Sequence, residues 1–207
     1  MASTQILAPG DTATVSTPFT VAAGTPARVG MFQGPVAAPG APVLAQVAGG
    51  ALGAATGYVK TTFVTPAGET VPSAEASLAV AANSLLVVDS PAAPADTRVT
   101  GWNVYVSNAT GTETKQNAAP IAIGTNWTEL VGGLIAGAAL PGADTTGGGL
   151  PAGATARLEV EDPNGNWVVI PETLTEAEPS LVLWAPGTYR ARRPAQKAGA
   201  NLGICTG

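Results

Sequence analysis

The carboxylates are the residues with the clearest capacity for chemistry, because the chain contains no histidine. This absence removes the commonest general base, the commonest metal ligand and every histidine-dependent catalytic triad. Carboxylate pairs can still hydrolyse glycosides without help. The acids that lie close together in the sequence are Glu159, Glu161, Asp162, Glu172, Glu176 and Glu178. Strand alternation and turn positions direct these charges outwards, so we predict no catalytic residue.

Metal and cofactor motifs are also missing from the sequence. The run Asp162-Pro163-Asn164-Gly165-Asn166 lacks the alternating oxygen ligands and the terminal glutamate of a calcium loop. The glycine-rich stretch from Gly49 to Gly57 does not contain the GxxxxGK[ST] string of a phosphate-binding loop. Cys205 is the single cysteine and cannot form an internal disulfide. We therefore expect no metal site and no cofactor.

The basic residues form one local concentration, at Arg190, Arg192, Arg193 and Lys197. Two interpretations are open. The side chains could pair across a sheet with Glu159, Glu161 or the group Glu172–Glu178. Alternatively, they could meet an acidic partner surface such as a neighbouring subunit. The four residues are our candidate protein interface.

Charge and hydropathy exclude two classes of partner. The net charge is −5, and no basic tail provides the electrostatic footprint of a nucleic-acid-binding protein. No apolar run reaches the roughly 18 residues that a membrane-spanning helix needs. The N-terminal segment has neither the basic nor the apolar region of a secretory signal. We predict no nucleic-acid partner, no membrane association and synthesis in the cytoplasm.

The elements that must position these residues are predicted to be strands. Runs rich in Val, Thr, Tyr, Phe and Trp alternate with Pro/Gly turns. Ser73–Asp89 is compatible with a helix, but we predict two strands there, broken at Asn83-Ser84. The predicted strands are Thr12–Val21 (interrupted at Pro18), Ala27–Phe32, Val43–Val47, Tyr58–Thr65, Ser77–Val80, Leu85–Val88, Val99–Ser107, Thr112–Gln116, Pro120–Ile123, Trp127–Leu130, Ala154–Glu161, Trp167–Ile170, Leu181–Trp184, Thr188–Arg193 and Leu202–Ile204.

Pairing and burial follow from these strands. Asp162–Gly165 predicts a tight hairpin turn, and Ala185-Pro186-Gly187 predicts a second hairpin. On the strand Val99–Ser107, period-two alternation gives Trp102, Val104 and Val106 one face. The tryptophans Trp102, Trp127, Trp167 and Trp184 are all predicted to be core residues.

Two Pro/Gly-rich segments suggest the domain organisation. The N-terminal strands are too few to form a stable sheet alone. We predict that residues 1–42 and 148–207 form a discontinuous outer β domain. Residues 43–136 form an inserted module, and 137–147 form a Gly-rich linker. The fold class is all-β, with two small β-sandwich or barrel domains. A sequential arrangement of an N-terminal arm and two sandwiches is the alternative.

The segment GYVKTTFVTPAGETVPSAEASLAV and the later strand GWNVYVS resemble a fibronectin type III or immunoglobulin-like module of the type carried by structural proteins of tailed bacteriophages. This resemblance covers roughly residues 43–136. The terminal segments VSTPFTVAAGTPARVGMF and LPAGATARLEVEDPNGNWVVI resemble the small β domains with which phage head-decoration and fibre proteins dock onto a virion.

The resemblance implies a non-enzymatic capsid decoration protein that docks on the virion shell and projects its Ig-like module. A tail, baseplate or fibre component that contacts the host surface is the alternative. A small carbohydrate-active enzyme is disfavoured, because no carboxylate pair lies among aromatic residues. The implied partners are other virion proteins (the major capsid protein or tail proteins) and further copies of the chain. The implied location is the virion.

Overall fold

The computed structural model describes residues 4–10, 12–147, 150, 153–196 and 202–207. These residues form strands and no helix, and every strand pairing is antiparallel, so the chain is all-β as predicted. The strands are β1 Thr4–Leu7, β2 Thr14–Val15, β3 Phe19–Val21, β4 Ala27–Gln33, β5 Leu44–Ala48, β6 Ala55–Thr65, β7 Gly68–Glu69, β8 Ala76–Val80, β9 Ser84–Val88, β10 Gly101–Ser107, β11 Thr114–Lys115, β12 Trp127–Thr128, β13 Thr155–Glu161, β14 Trp167–Thr175, β15 Ser180–Leu183, β16 Gly187–Arg193 and β17 Leu202–Thr206. Within the described ranges no helix could cross a lipid bilayer.

The chain divides into two compact units, one of which is discontinuous in sequence. Unit 1 comprises Met1–Gly34 and Gly147–Gly207, and unit 2 comprises Pro35–Thr146. These boundaries differ from the predicted ones. Unit 2 begins before residue 43 and continues beyond residue 136, so that it includes almost all of the predicted linker 137–147.

Unit 1 is a sandwich of two sheets. One sheet has the strand order β1-β17-β4-β15, and the other has the order β14-β13-β16-β2, with β3 also paired to β16. Small and branched side chains from both sheets form one core, which includes Val29 and Ile204 from the first sheet and Ala156, Leu158 and Ala191 from the second. Several residues of this core are alanines, as expected for an alanine-rich chain. Their small side chains allow close contact between the two sheets.

Unit 2 is also a sandwich. Its larger sheet has the order β11-β10-β6-β7, with β8 paired to β6, and its smaller sheet has the order β12-β9-β5. Val59, Phe63 and Trp102 from the larger sheet pack with Leu86 and Val88 from the smaller one. The run Ser73–Asp89 forms two strands as predicted, and Asn83 between them has a φ of 61°, a conformation that asparagine tolerates.

The pairing of β6 with β10 organises unit 2. Trp102 lies opposite Phe63 and Val104 lies opposite Thr61, on the face directed into the core. Trp102, Val104 and Val106 are buried, which confirms the face assigned from alternation. Asn103 and Tyr105 lie on the other face, as predicted, but they are also buried.

The two ends of unit 2 are tied to each other. The backbone N–H of Val36 donates to Oγ1 of Thr146 at 2.7 Å, and Val36 is buried in the unit 2 core. Thr145 donates its N–H to the carbonyl of Glu69 at 2.9 Å, and the N–H of Lys115 donates to the carbonyl of Ala138 at 2.9 Å. These bonds explain why the Pro/Gly-rich flanks belong to unit 2.

Several local predictions were wrong. Leu181–Trp184 and Thr188–Arg193 do not form a hairpin, because β15 pairs with β4 whereas β16 pairs with β13, β3 and β2. Pro120–Ile123 forms only an isolated bridge between Ile121 and Trp102. Trp184 is 73% exposed, since it follows β15 on the side directed away from the core, whereas Trp127 and Trp167 are partly buried.

Candidate functional site

The candidate interface residues do not share one environment. Arg190 and Arg192 lie on the outer face of β16, as the alternation predicted. Arg193 lies on the inner face and is 3% exposed. Its guanidinium donates to the carbonyls of Ala8 at 2.8 Å and Thr12 at 3.0 Å, and also to that of Leu202. Arg193 therefore joins backbone segments inside unit 1 and does not present its charge to a partner. Lys197 lies outside the described residues.

Glu159 is the acid that the two outward arginines meet. Its carboxylate lies 2.5 Å from Nε of Arg190 and 3.6 Å from Nη1 of Arg192. Although it was predicted to be a solvated charge, Glu159 is only 3% exposed. The arginine side chains cover it from outside. In the part of the chain that the structure describes, Glu161 and the group Glu172–Glu178 form no ion pair with these arginines.

Arg190 is further fixed by an aromatic contact. Its guanidinium carbon lies 4.2 Å from the centre of a Trp167 ring. Trp167 is the first residue of β14 and lies opposite Glu161 on β13, so its side chain shares the outer face. Cation–π attraction and the ion pair to Glu159 act on the same guanidinium. Arg190 is consequently a supporting residue, and Arg192, whose side chain is 60% exposed, carries the accessible charge.

Arg157 is a functional candidate that the sequence reasoning missed. It lies directly opposite Arg192 in the register of β13 and β16, on the same outer face. Like charges directly opposite each other on neighbouring strands are destabilising. Within the described ranges Arg157 has no ion pair or side-chain hydrogen bond. The signal available from sequence was the alternation Arg157, Glu159, Glu161, which placed Arg157 on the outer face but could not identify its neighbour.

These side chains border an open pocket of about 440 Å³ on the outer face of unit 1. Arg157 and Arg192 supply its positive charge, Thr155 and Thr173 supply hydroxyl groups, and Val169 supplies an apolar wall. The irregular pairing between β13 and β14 near Arg157 places extra residues of β14 beside the pocket. We call this group, Arg157, Arg192, Thr155, Thr173 and Glu159, the arginine pocket.

The chemistry of the arginine pocket favours an anion. Glu159 is a buried carboxylate whose charge is already balanced by Arg190 at 2.5 Å. Two further guanidinium groups therefore lack a full counter-charge. A guanidinium binds carboxylate or phosphate oxygens through two parallel hydrogen bonds. A carboxylate or phosphate group would supply the missing charge.

A second polar group lies in unit 2, on the side of β6 and β10 directed away from the core. Oε1 of Glu69 accepts hydrogen bonds from Nδ2 of Asn103 at 2.7 Å and from the hydroxyl of Tyr105 at 2.8 Å, and from Oγ1 of Thr62. Burial raises the pKa of the Tyr105 phenol well above its ordinary value, and the hydrogen bond to Glu69 acts in the same direction. All three donors are buried, so this group connects the turn at Glu69 to the sheet and offers no access to a substrate.

Lys60 makes a neighbouring ion-pair network in unit 2. Its ammonium lies 3.4 Å from Glu113 and 3.6 Å from Glu75. The pKa of Glu75 is lowered, chiefly by its hydrogen bond with Glu113 and then by the hydroxyl of Thr110. Among the described residues no group of His, Cys, Asp and Glu side chains is placed to hold a metal ion.

No family model, curated protein or solved structure matches this chain.

Proposed function

We propose that this chain is a non-enzymatic structural protein of a tailed-bacteriophage virion, and that it acts as a capsid decoration protein. Unit 1 docks on the shell through the arginine pocket, and unit 2 is the displayed module. The resemblance of residues 43–136 and of the terminal segments to phage structural proteins motivates the virion assignment. The docking residues are Arg157 and Arg192, with Arg190 holding Glu159 beneath them.

One observation carries the docking role. Arg157 and Arg192 face each other directly across β13 and β16, an arrangement that costs stability in the isolated chain. The nearest carboxylate, Glu159, is already paired with Arg190. An acidic group from a partner removes the repulsion and gains two charge-assisted contacts. The pair is therefore better suited to a complex than to the protein alone.

The charge distribution supports the division between the two units. Unit 2 contains three basic residues, Lys60, Arg98 and Lys115, against seven acidic ones, which gives a net charge of −4. Unit 1 contains six basic and seven acidic residues, a net charge of −1. An acidic shell repels the acidic unit 2, whereas it attracts the arginine pocket of unit 1.

A tail, baseplate or fibre component is the second candidate. It is favoured by exposed apolar side chains in unit 2, which include Leu130, Val131 and Ile135. Such residues suit contact with a further surface. Counting the copies per virion separates the two assignments: hundreds of copies support decoration, and tens or fewer support a tail component.

The test is co-sedimentation of the full chain with undecorated capsids of the phage that encodes it. We expect the double variant Arg157→Gln/Arg192→Gln to bind about tenfold more weakly than the wild type, the effect of losing about 1.4 kcal/mol. Its stability should change little, because the cross-strand repulsion and the longer ion pair of Arg192 with Glu159 at 3.6 Å are both removed while Arg190 still pairs with Glu159. The difference in binding should shrink as the salt concentration rises.

The matched control is Arg28→Gln, which removes the same charge from the other sheet of unit 1, where Arg28 donates to Oγ of Ser180 at 2.9 Å. Arg28→Gln should bind like the wild type. Equal losses in both variants would show that only net charge matters. If the wild type does not bind capsids, the decoration assignment is wrong. If the double variant binds as tightly as the wild type, the docking residues are wrong.

A further inference from the structure

Unit 2 contains an open pocket of about 430 Å³, which is lined by residues of both of its sheets and of adjoining loops. Its lining includes apolar side chains that are almost fully buried, namely Val80, Leu86 and Val106. Leu52 and Leu134 also line it, and the Cδ1 atom of Leu52 would lie 3.4 Å from a Cβ placed at Gly133. The pocket is therefore an open cavity with both apolar and polar lining.

Glu129 is the single charged residue in the lining of this pocket. Its position is fixed at two points. The backbone N–H of Glu129 donates to the carbonyl of Leu86 at 2.8 Å, and its Oε2 accepts the N–H of Leu86 at 3.1 Å. Within the described part of the chain, Oε1 accepts no hydrogen bond. One carboxylate oxygen thus anchors the side chain, and the other remains available at the pocket.

We propose that this pocket binds a primary alkylammonium group, presented as a lysine side chain by a partner protein. The four-carbon stem of lysine would lie against Leu52, Leu86 and Leu134, and its ammonium would donate to Oε1 of Glu129. Lysine commonly buries its methylene stem along apolar surface while its charged head binds elsewhere. The net charge of −4 on unit 2 attracts such a partner.

The geometry distinguishes lysine from arginine. A guanidinium binds a carboxylate best through both oxygens at once. In Glu129 one oxygen is already occupied by the N–H of Leu86. An ammonium is a compact charge that needs only one acceptor at this position. The inference is independent of the virion assignment, because it rests only on residues of unit 2.

The experiment is a methyl-selective NMR titration of the full chain with three compounds of equal length: n-butylammonium, n-butanol and butyrate. n-Butylammonium reproduces the lysine side chain. We expect it to shift the methyl signals of Leu52, Leu86 and Leu134, n-butanol to bind about fivefold more weakly, and butyrate to leave these signals unchanged. A fivefold ratio corresponds to one partly exposed ion pair.

Two variants and a control sharpen the test. Glu129→Gln keeps an acceptor for the N–H of Leu86 but loses the charge, so n-butylammonium should bind no more tightly than n-butanol. Gly53→Leu places a side chain at the pocket lining where an added Cβ meets nothing within 4 Å, and should weaken both compounds. Glu161→Gln removes the same charge from unit 1 and should change neither. The Leu86 amide signal reports whether each variant keeps the native fold.

A peptide titration identifies the source of the amine. Acetyl-Gly-Lys-Gly-amide should shift the same methyl signals, and acetyl-Gly-Gln-Gly-amide should not. If n-butylammonium binds and the lysine peptide does not, the pocket accepts free amines and the proposed docking of a protein is wrong. Equal binding of n-butylammonium and n-butanol by the wild type, or shifts confined to other methyl groups, would overturn the proposal.

Discussion

Buried carboxylates act as internal hydrogen-bond and charge acceptors in this protein. Only 11% of the residues are charged, yet Glu113 and Glu159 are buried and Glu69 lies at the centre of a buried group of donors. Each of them meets cations or hydrogen-bond donors within its own unit. A buried charge is tolerated only when it is compensated in this way. The few charges are therefore used as much for folding as for solubility.

The Tyr105 hydroxyl provides a test of this role. Tyr105→Phe removes one of the donors to Glu69 and leaves this partly buried carboxylate with two donors, Thr62 and Asn103. We expect a loss of about 1–3 kcal/mol in the free energy of unfolding, measured by urea denaturation. The control is Tyr58→Phe on the same strand-pair face, since Tyr58 makes no side-chain hydrogen bond in the described part of the chain. Equal small losses for both variants would show that the Glu69 group contributes nothing specific.

The outer arginines show what residue types can and cannot reveal. The pairing of Arg190 and Arg192 with a glutamate of the neighbouring strand was one of the two interpretations open from the sequence, and the structure contains it, with Glu159. The burial of Arg193 could not be predicted from the sequence, because it depends on carbonyls from residues about 180 positions away. The contribution of Arg157 was hidden for the same reason: its neighbour is fixed by the register of β13 against β16.

At the scale of the strand, alternation was sufficient to assign faces. The strands β4, β6, β10, β13 and β16 were predicted with boundaries close to the observed ones, because apolar side chains recur in them at every second position, as Ala156, Leu158 and Val160 do in β13. β7 has only two residues and gives too short a pattern, whereas β12 was predicted, but two residues too long, as Trp127–Leu130. β1 was missed, since Thr4–Leu7 has little alternation to read.

Strand pairing was harder to predict than strand position. The Ala185-Pro186-Gly187 turn fits a hairpin, but it connects β15 in one sheet to β16 in the other. A short turn favours pairing between its flanking strands only if no distant strand competes. Here β4 pairs with β15, and β13 pairs with β16, in both cases from far along the chain. The exposure of Trp184 follows from this crossover.

The four tryptophans allow a direct test of the assigned faces. Trp102→Ala should cost about 3–5 kcal/mol in the free energy of unfolding, because Trp102 is fully buried between the sheets of unit 2. Trp184→Ala should change the free energy by about 0.5 kcal/mol or less, because that side chain is 73% exposed. Guanidinium denaturation of both variants measures the difference. A loss below about 1 kcal/mol for Trp102→Ala would contradict the packing described for β10.

At the scale of the molecule, unit 2 lies in sequence between the two segments of unit 1. This arrangement requires the two ends of unit 2 to lie close together. The hydrogen bond from Val36 to Thr146 joins the two ends of unit 2. Adjacent termini are what permits one domain to be inserted into a loop of another. The Pro/Gly-rich composition of the flanks predicts boundaries at residues 43 and 136, because such composition is typical of linkers. Composition of this kind predicts the absence of regular strands, which is observed for 34–42, but it does not predict the absence of packing.

The boundary can be measured by comparing two fragments, Pro35–Thr146 and residues 43–136. Because unit 2 has its own core, we expect the longer fragment to unfold in one cooperative transition with a β-type circular dichroism spectrum. The shorter fragment lacks the buried side chain of Val36, its bond to Thr146 and the contact between Thr145 and Glu69. Burial of one valine alone contributes about 1.5–3 kcal/mol, so the shorter fragment should be at least about 2 kcal/mol less stable in urea. Equal stability would restore the boundaries at residues 43 and 136, and non-cooperative melting of both fragments would mean that unit 2 does not fold independently of unit 1.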